Sequence, residues 1–266
     1  MAKKILITGA TGLIGHTAYL HLVSQPEKYE VYALDRSCEL SERVPKDRTF
    51  SIPHANFFQC DLAAFDDVAK AVNGMDTVIH MGADASGSEW ESVLQNNIIG
   101  AYNVFEACRR ADVKRLIAAS TIQVSSGYRE LEPYKSISEK GVDDVPEKFP
   151  MVTSEMPAEP RNIYASSKVW SESLARTYAH VHGMSCIIIR PGWVVAEDKP
   201  RGLEGADIWC SQRDIAQLIE CCIDAHDDVR FEIFWAMSDN KWRWVDIEHA
   251  RRKVGYVPRD RAENSM

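Results

Sequence analysis

The stretch KKILITGATGLIG, residues 3 to 15, leaves the chain few folds to choose from. A β-branched apolar run ends in a turn bearing Gly9, Gly12 and Gly15, and the turn opens straight into a helical pattern. A second apolar run closes on Asp35, about 20 residues further along. Strand, glycine turn, helix and a carboxylate after the next strand form the context in which a pyrophosphate approaches main-chain amides at a helix N-terminus. Gly9, Thr11, Gly12, Leu13, Ile14 and Gly15 are therefore expected to hold a dinucleotide, with Asp35 on the adenine-ribose diol. That carboxylate repels a 2′-phosphate and favours NAD over NADP. Arg36 beside it pulls the other way, since a guanidinium can clamp the phosphate or stack on adenine.

The rest of the chain repeats the alternation. Residues 3–8, 29–34, 56–60, 76–80, 114–119 and 185–190 read as buried strands, and 13–24, 64–73, 90–110 and 164–182 as helices. This order predicts an α/β fold, a doubly wound parallel sheet in a single domain over 1–266. Residues 1–190 would form mainly the dinucleotide-binding core, and 191–266 a small substrate lobe with a helix from Ser211, a strand at 231–237 and a helix at 246–254. Residues 121–163, rich in proline and charge, are too long for a plain connection and are expected to be a functional loop or a partly mobile lid.

Composition excludes several classes. A formal charge of −8 and a pI near 5.5, with no basic stripe, argue against nucleic acid. No apolar run is long enough to span a membrane, and the Lys-Lys start leads into too short a run for a signal peptide, so it is expected to be mature sequence. Seven cysteines, an odd number without a C-x-x-C pair or a His/Cys cluster, fit a reduced, cytoplasmic compartment and no metal site; adjacent Cys221 and Cys222 read as core filler.

NIYASSKVW, residues 162–170, puts Tyr164 and Lys168 on one helix face. Alone, the pair fits a packed tyrosine as well as an acid–base couple. Together with TGATGLIG, CDL (60–62), HMGA (80–83), NNIIG (96–100), AST (119–121) and RPG (190–192), in that order, it makes the chain resemble the extended short-chain dehydrogenase/reductase (SDR) family over nearly its whole length. The resemblance implies that Asp61 and Leu62 flank the adenine, and that Met81, Gly82, Ala83 and Ala119 line the cofactor. It implies a catalytic set of Thr121, Tyr164 and Lys168, with Asn97 supporting the active-site backbone or a relay water. A lysine ammonium nearby would lower a phenol pKa from its usual value near 10, and Lys168 would also hold the nicotinamide ribose. Relatives usually carry serine at the Thr121 position, and Ser120 is the alternative bearer of its role.

Only about seventy-five residues follow RPG, few for enclosing a nucleotide-sugar, so a small substrate is expected. LQNNIIGAYNVFEACRRA, FWAMSDNKWRW and KVGYVPRDRAE resemble uronate dehydrogenases, which oxidise the anomeric carbon of a free hexuronate with NAD; archaeal sugar-phosphate dehydrogenases are similar too. The pocket departs from the uronate pattern: Ala85 stands for a serine, Ile122 and Gln123 for an Asn-His pair, and Trp193 for a serine. Arg201 matches the carboxylate-binding arginine across one gap, or is a solvated loop charge. An epimerase or dehydratase with retained NAD and a non-catalytic dinucleotide sensor are the other readings. The resemblance further implies a homodimer or higher homo-oligomer, built on helices 90–110 and 164–182.

Overall fold

The computed structural model describes residues 2–140, 148–202 and 205–265. Seven strands form one sheet: β1 (Lys3–Thr8), β2 (Tyr29–Asp35), β3 (Phe57–Gln59), β4 (Thr77–His80), β5 (Arg115–Ala119), β6 (Ser185–Pro191) and β7 (Phe231–Ala236). Their order is β3-β2-β1-β4-β5-β6-β7 and every neighbouring pair is parallel. All carboxyl ends therefore share one edge, and the order reverses between β1 and β4, which opens a crevice there.

Side chains alternate across the sheet with period two. Ile5, Ile7, Ile187 and Ile189 pack on one face under α1 (Leu13–Val23), α7 (Gln212–Ile223) and α8 (Glu248–Val254). Leu6, Cys186 and Ile188 pack on the other, under α2 (Phe65–Val72), α4 (Gly100–Arg110) and α6 (Ile163–His182). Burial on both faces explains why these strands read as continuous apolar runs. Cys222 is core, as expected, and Cys221 is half-buried beside it.

Two segments differ from expectation. Residues 90–110 are not one regular helix: α3 (Trp90–Val93) runs through a π-helical turn, Leu94–Ile99, before α4. The wider turn carries Asn97 inward, where it is buried. The stretch 121–163 is only partly loop. Its residues 122–130 form 3-10 turns kinked at Ser125, and α5 (Tyr134–Lys140) follows. Tyr128, Tyr134, Ile137 and Val152 are buried against Trp235, Trp244 and Ile247, so this wall is packed core and not a lid. The apolar anchors outweigh the polar composition around them. Residues 141–147 of that stretch lie outside the described residues.

Candidate active site

The glycine turn sits at the crevice. Gly9 has φ +69°, and a Cβ there would meet the Gly82 nitrogen at 2.5 Å, so the turn and the end of β4 touch through bare backbone. A Cβ on Gly15 would lie 2.1 Å from the Gly9 carbonyl oxygen, whereas one on Gly12 would meet only that oxygen, at 3.3 Å. Gly9 and Gly15 thus keep the turn closed, and Gly12 keeps its outer side open. Helix α1 starts there with Gly12 as N-cap, no side-chain cap and no acidic residue in its first turn. Its free amides suit an anion, and the cradle fits a dinucleotide pyrophosphate.

Asp35 reaches back to the turn: Oδ2 accepts from Thr11 N (3.0 Å) and Thr11 Oγ1 (2.8 Å), and Oδ1 from Arg36 N (2.8 Å). It lines a 230 Å³ cavity with Thr11, Leu62, Gly82 and exposed Arg36. Asp61 is exposed and directs its carboxylate into its own turn, onto Ala63 N at 2.9 Å.

That cavity shares Gly9, Gly12, Arg36, Met81 and Ala83 with a cleft of about 880 Å³. Leu13, Ile14, Gly15, Ala119, Thr121, Tyr164 and Lys168 also line the cleft, as do Ala85, Gln123, Trp193 and Arg201. Asn162 caps α6, its Oδ1 accepting from Ala165 N at 2.7 Å, which places Tyr164 and Lys168 in the first two helical turns. Lys168 is buried, donates from Nζ to the Ala119 carbonyl (2.9 Å), and lies 5.8 Å from the Tyr164 ring centroid. Burial loosens its proton, bringing its pKa down to about 8. The phenol moves opposite to expectation: burial pushes its pKa up, against a Thr121 hydrogen bond and the charge of Arg43 that pull it down. Burial outweighs the local charges.

At the substrate end, the Gln123 side-chain carbonyl accepts from Asn162 Nδ2 at 2.7 Å. Trp193 lies flat on Gly205, where a Cβ would meet its ring at 2.6 Å. Arg201 is exposed and makes no ion pair among the described residues.

The NAD dependent epimerase/dehydratase family model matches residues 5–248. The chain belongs to this family. Among its relatives, the NAD-dependent glucose-6-phosphate dehydrogenase of Haloferax volcanii is 31% identical over 98% of this chain and 94% of its own length. The uronate dehydrogenase of Pseudomonas putida is 30% identical over 98% of this chain and 85% of its own. The crystal structure of uronate dehydrogenase from Agrobacterium tumefaciens superimposes with a TM-score of 0.77 at 28% identity, over 99% of this chain and 86% of that one.

Within this extended SDR frame the sequence singled out Asn97, Ser120 and Thr121 but not Glu172, Ser41 or Arg43. Asn97 is saturated by protein: Oδ1 accepts from Asp84 N (2.7 Å), and Nδ2 donates to Asp84 O and Ser167 Oγ, both at 3.0 Å. It braces the backbone of the cleft wall and does not face the cofactor cavity, which its neighbour Asn96 lines. Ser120 donates its hydroxyl to buried Glu172 (2.6 Å), whereas the Thr121 hydroxyl bonds Tyr164 at the cleft. Glu172 follows Lys168 by one turn on the same helix face, a spacing that could have flagged it. Ser41 and Arg43 reach the cleft from the segment after β2, and no periodic signal marks them.

Proposed function

We propose that the protein is an NAD-dependent dehydrogenase of the extended SDR type that oxidises a small sugar or sugar acid at its anomeric carbon. NAD, when bound, accepts the hydride that leaves this carbon. Thr121 holds the substrate hydroxyl, Tyr164 takes its proton, and the Lys168 ammonium favours the phenolate and binds the nicotinamide ribose. Arg36, Asp35 and the glycine turn would hold the adenine half. The observation that carries the reading is the convergence of Thr121, Tyr164 and Lys168 on one cleft that runs without a break to the glycine turn. The relatives named above, oxidising glucose 6-phosphate and uronates with chains of similar length, support a small substrate.

The test is a panel of free sugars, hexuronates, sugar phosphates and secondary alcohols, followed by NADH absorbance. Stoichiometric NADH on one of these is expected. Interconversion of sugars without NADH would replace this reading by an epimerase with retained cofactor. A sugar-phosphate substrate is the second reading, because exposed Arg36, Arg43 and Arg201 all line the cleft without an ion pair among the described residues.

We also infer a homodimer through α3–α4 and α6. Trp90 (59% exposed), Tyr102, Ile163 and Trp170 leave apolar surface on these helices. A monomeric mass in sedimentation would refute it. No helix of the described residues is long and apolar enough to cross a membrane, and seven free thiols support a reducing, cytoplasmic setting.

A further inference from the structure

Behind the catalytic wall lies a buried ion pair that the chemistry described so far does not use. Glu172, on α6, accepts two nearly parallel hydrogen bonds from Arg190 at the end of β6: Nε to Oε1 and Nη2 to Oε2, each 2.8 Å. Both side chains are less than one-tenth exposed. The guanidinium also lies over the Trp235 ring, 4.7 Å from its centroid. The same carboxylate takes the Ser120 hydroxyl at 2.6 Å. One turn earlier on α6, Lys168 Nζ grips the carbonyl of Ala119 at 2.9 Å.

Two side chains on one face of α6, four residues apart, therefore hold two consecutive residues at the carboxyl end of β5. Thr121 is the very next residue, and its hydroxyl meets Tyr164 and accepts a 3.3 Å bond from Gln123 N. Its placement relative to Tyr164 depends on how the strand end is fastened to the helix.

We propose that Glu172 and Arg190 are positioning residues, which set the register of α6 against the end of β5, through Ser120, and thereby the spacing of Thr121 from Tyr164 and Lys168. The bidentate pair is suited to this. A fork of two hydrogen bonds fixes orientation as well as distance, and in a buried site it cannot be exchanged for water. Ser120 is the link, since its proton is committed to Glu172 and is not free for a substrate.

The proposal rests on the dehydrogenase reading for its kinetic part only, because NADH binding to the cofactor-free protein reports on Lys168 without turnover. Three variants are compared by NADH fluorescence titration, thermal melting and steady-state kinetics on the best substrate. Ser120→Ala leaves the ion pair intact: the NADH Kd is expected within about twofold of wild type and kcat about tenfold lower, a displacement effect. Glu172→Gln loosens both rungs, and is expected to raise the NADH Kd about three- to tenfold and to lower kcat about 10- to 100-fold. The double variant is expected to be no slower than Glu172→Gln, because both changes break one linkage.

Full activity in Ser120→Ala, or fold-losses that multiply in the double variant, would overturn the linkage and make Ser120 an independent contact. A lowered melting temperature in Glu172→Gln with unchanged NADH Kd would reduce the pair to a stabilising one. If wild type yields no NADH with any sugar, the proposed function fails, while the NADH titrations still decide the positioning role.

Discussion

Alanine at Gly12 and at Gly15 should separate what the glycine turn does for a ligand from what it does for the fold. At Gly15 the added methyl would lie 2.1 Å from the Gly9 oxygen, 2.8 Å from its carbonyl carbon and 3.1 Å from the Ala10 Cα. These are backbone atoms, so a turn held by Gly9 N to Leu34 O (2.9 Å) has to move by roughly an ångström. Overpacking of that kind costs about 1–3 kcal/mol, and a clash this deep belongs at the upper end. Alanine returns about 1 kcal/mol of helix propensity. The net loss of about 2 kcal/mol lowers the melting temperature by roughly 4 °C or more for a chain of this length. NADH binding weakens along with it, because the displaced turn carries the cradle.

At Gly12 the only neighbour is the Gly9 oxygen at 3.3 Å, an adjustment of tenths of an ångström, and the other directions are open. Alanine is a poorer N-cap than glycine by about 1 kcal/mol at most, so melting shifts by roughly 2 °C. The methyl stands instead where a pyrophosphate approaches the first amides of α1. Losing one charge-assisted hydrogen bond there costs about 1.5–3 kcal/mol, roughly 10- to 150-fold in Kd. Fluorescence titration with NADH and a thermal melt on both variants are the assay. Unchanged NADH affinity in Gly12→Ala, or unchanged melting in Gly15→Ala, would refute the division of roles.

Tyr164→Phe should lower kcat by at least about 100-fold with NADH affinity unchanged, and more than one hundredth of the activity remaining would remove the phenol from the chemistry. Asp35→Ala should weaken NADH and relax the preference against NADPH, and, since Asp35 also fastens Thr11, lower the melting temperature; equal losses for both cofactors would place its role in the turn alone. Arg201→Ala should raise KM for an acidic substrate by about 10- to 100-fold and leave a neutral one unaffected, and equal effects would return Arg201 to surface charge. His80, buried and bonded through Nδ1 to Thr8 Oγ1 at 2.8 Å, has its pKa brought down to about 3 by burial and by the Lys168 charge. The unfolded imidazole binds its proton near pH 6.5 and the folded one does not, so stability drops as pH falls from 6.5 towards 3. Unfolding measured between pH 6 and 4 should be flatter in His80→Gln by about 1.4 kcal/mol per pH unit, and parallel profiles would refute this.

How legible each part was in the sequence follows from the range of the interaction behind it. The strands, the glycine turn and the Tyr164–Lys168 pair are local patterns, continuous apolar runs or residues three or four apart, and such patterns are visible without tertiary contacts. The wall at 122–140 was hidden because Tyr128, Tyr134 and Ile137 are spaced among charged residues and find partners only 100 residues later, in Trp235, Trp244 and Ile247. The direction of the Tyr164 shift was hidden too. A lysine four residues away is visible in a sequence, whereas the burial that pushes the phenol up exists only once the chain is folded. Asn97 and Glu172 lie between these cases: Asn97 bonds Ser167 on a legible helix and Asp84 on the cleft wall, and Glu172 sits on that helix but bonds Ser120 and Arg190 beyond it.

The packed wall bears on the size of the substrate. Tyr134 donates to the Pro150 carbonyl and Tyr128 to the Pro157 carbonyl, both at 2.9 Å, while Val152 pairs with Val245. This ties the segment before α6 to the C-terminal residues, so the wall cannot swing out without breaking a core that holds Trp235, Trp244, Tyr128 and Tyr134. Opposite it, Trp193 is held by main-chain bonds to Ile208 O (2.6 Å) and from Cys210 N (3.0 Å), and its ring rests on bare backbone at Gly205. Both walls are thus held by packing and main-chain bonds. The face of an indole cannot replace a hydroxyl as hydrogen-bond acceptor, but it can pack against the C–H face of a sugar ring. Affinity in this chain should accordingly come from packing at Trp193 and selectivity from charge at Arg201, so that Trp193→Ser loses affinity across all sugars alike, whereas Arg201→Ala loses it for acidic ones.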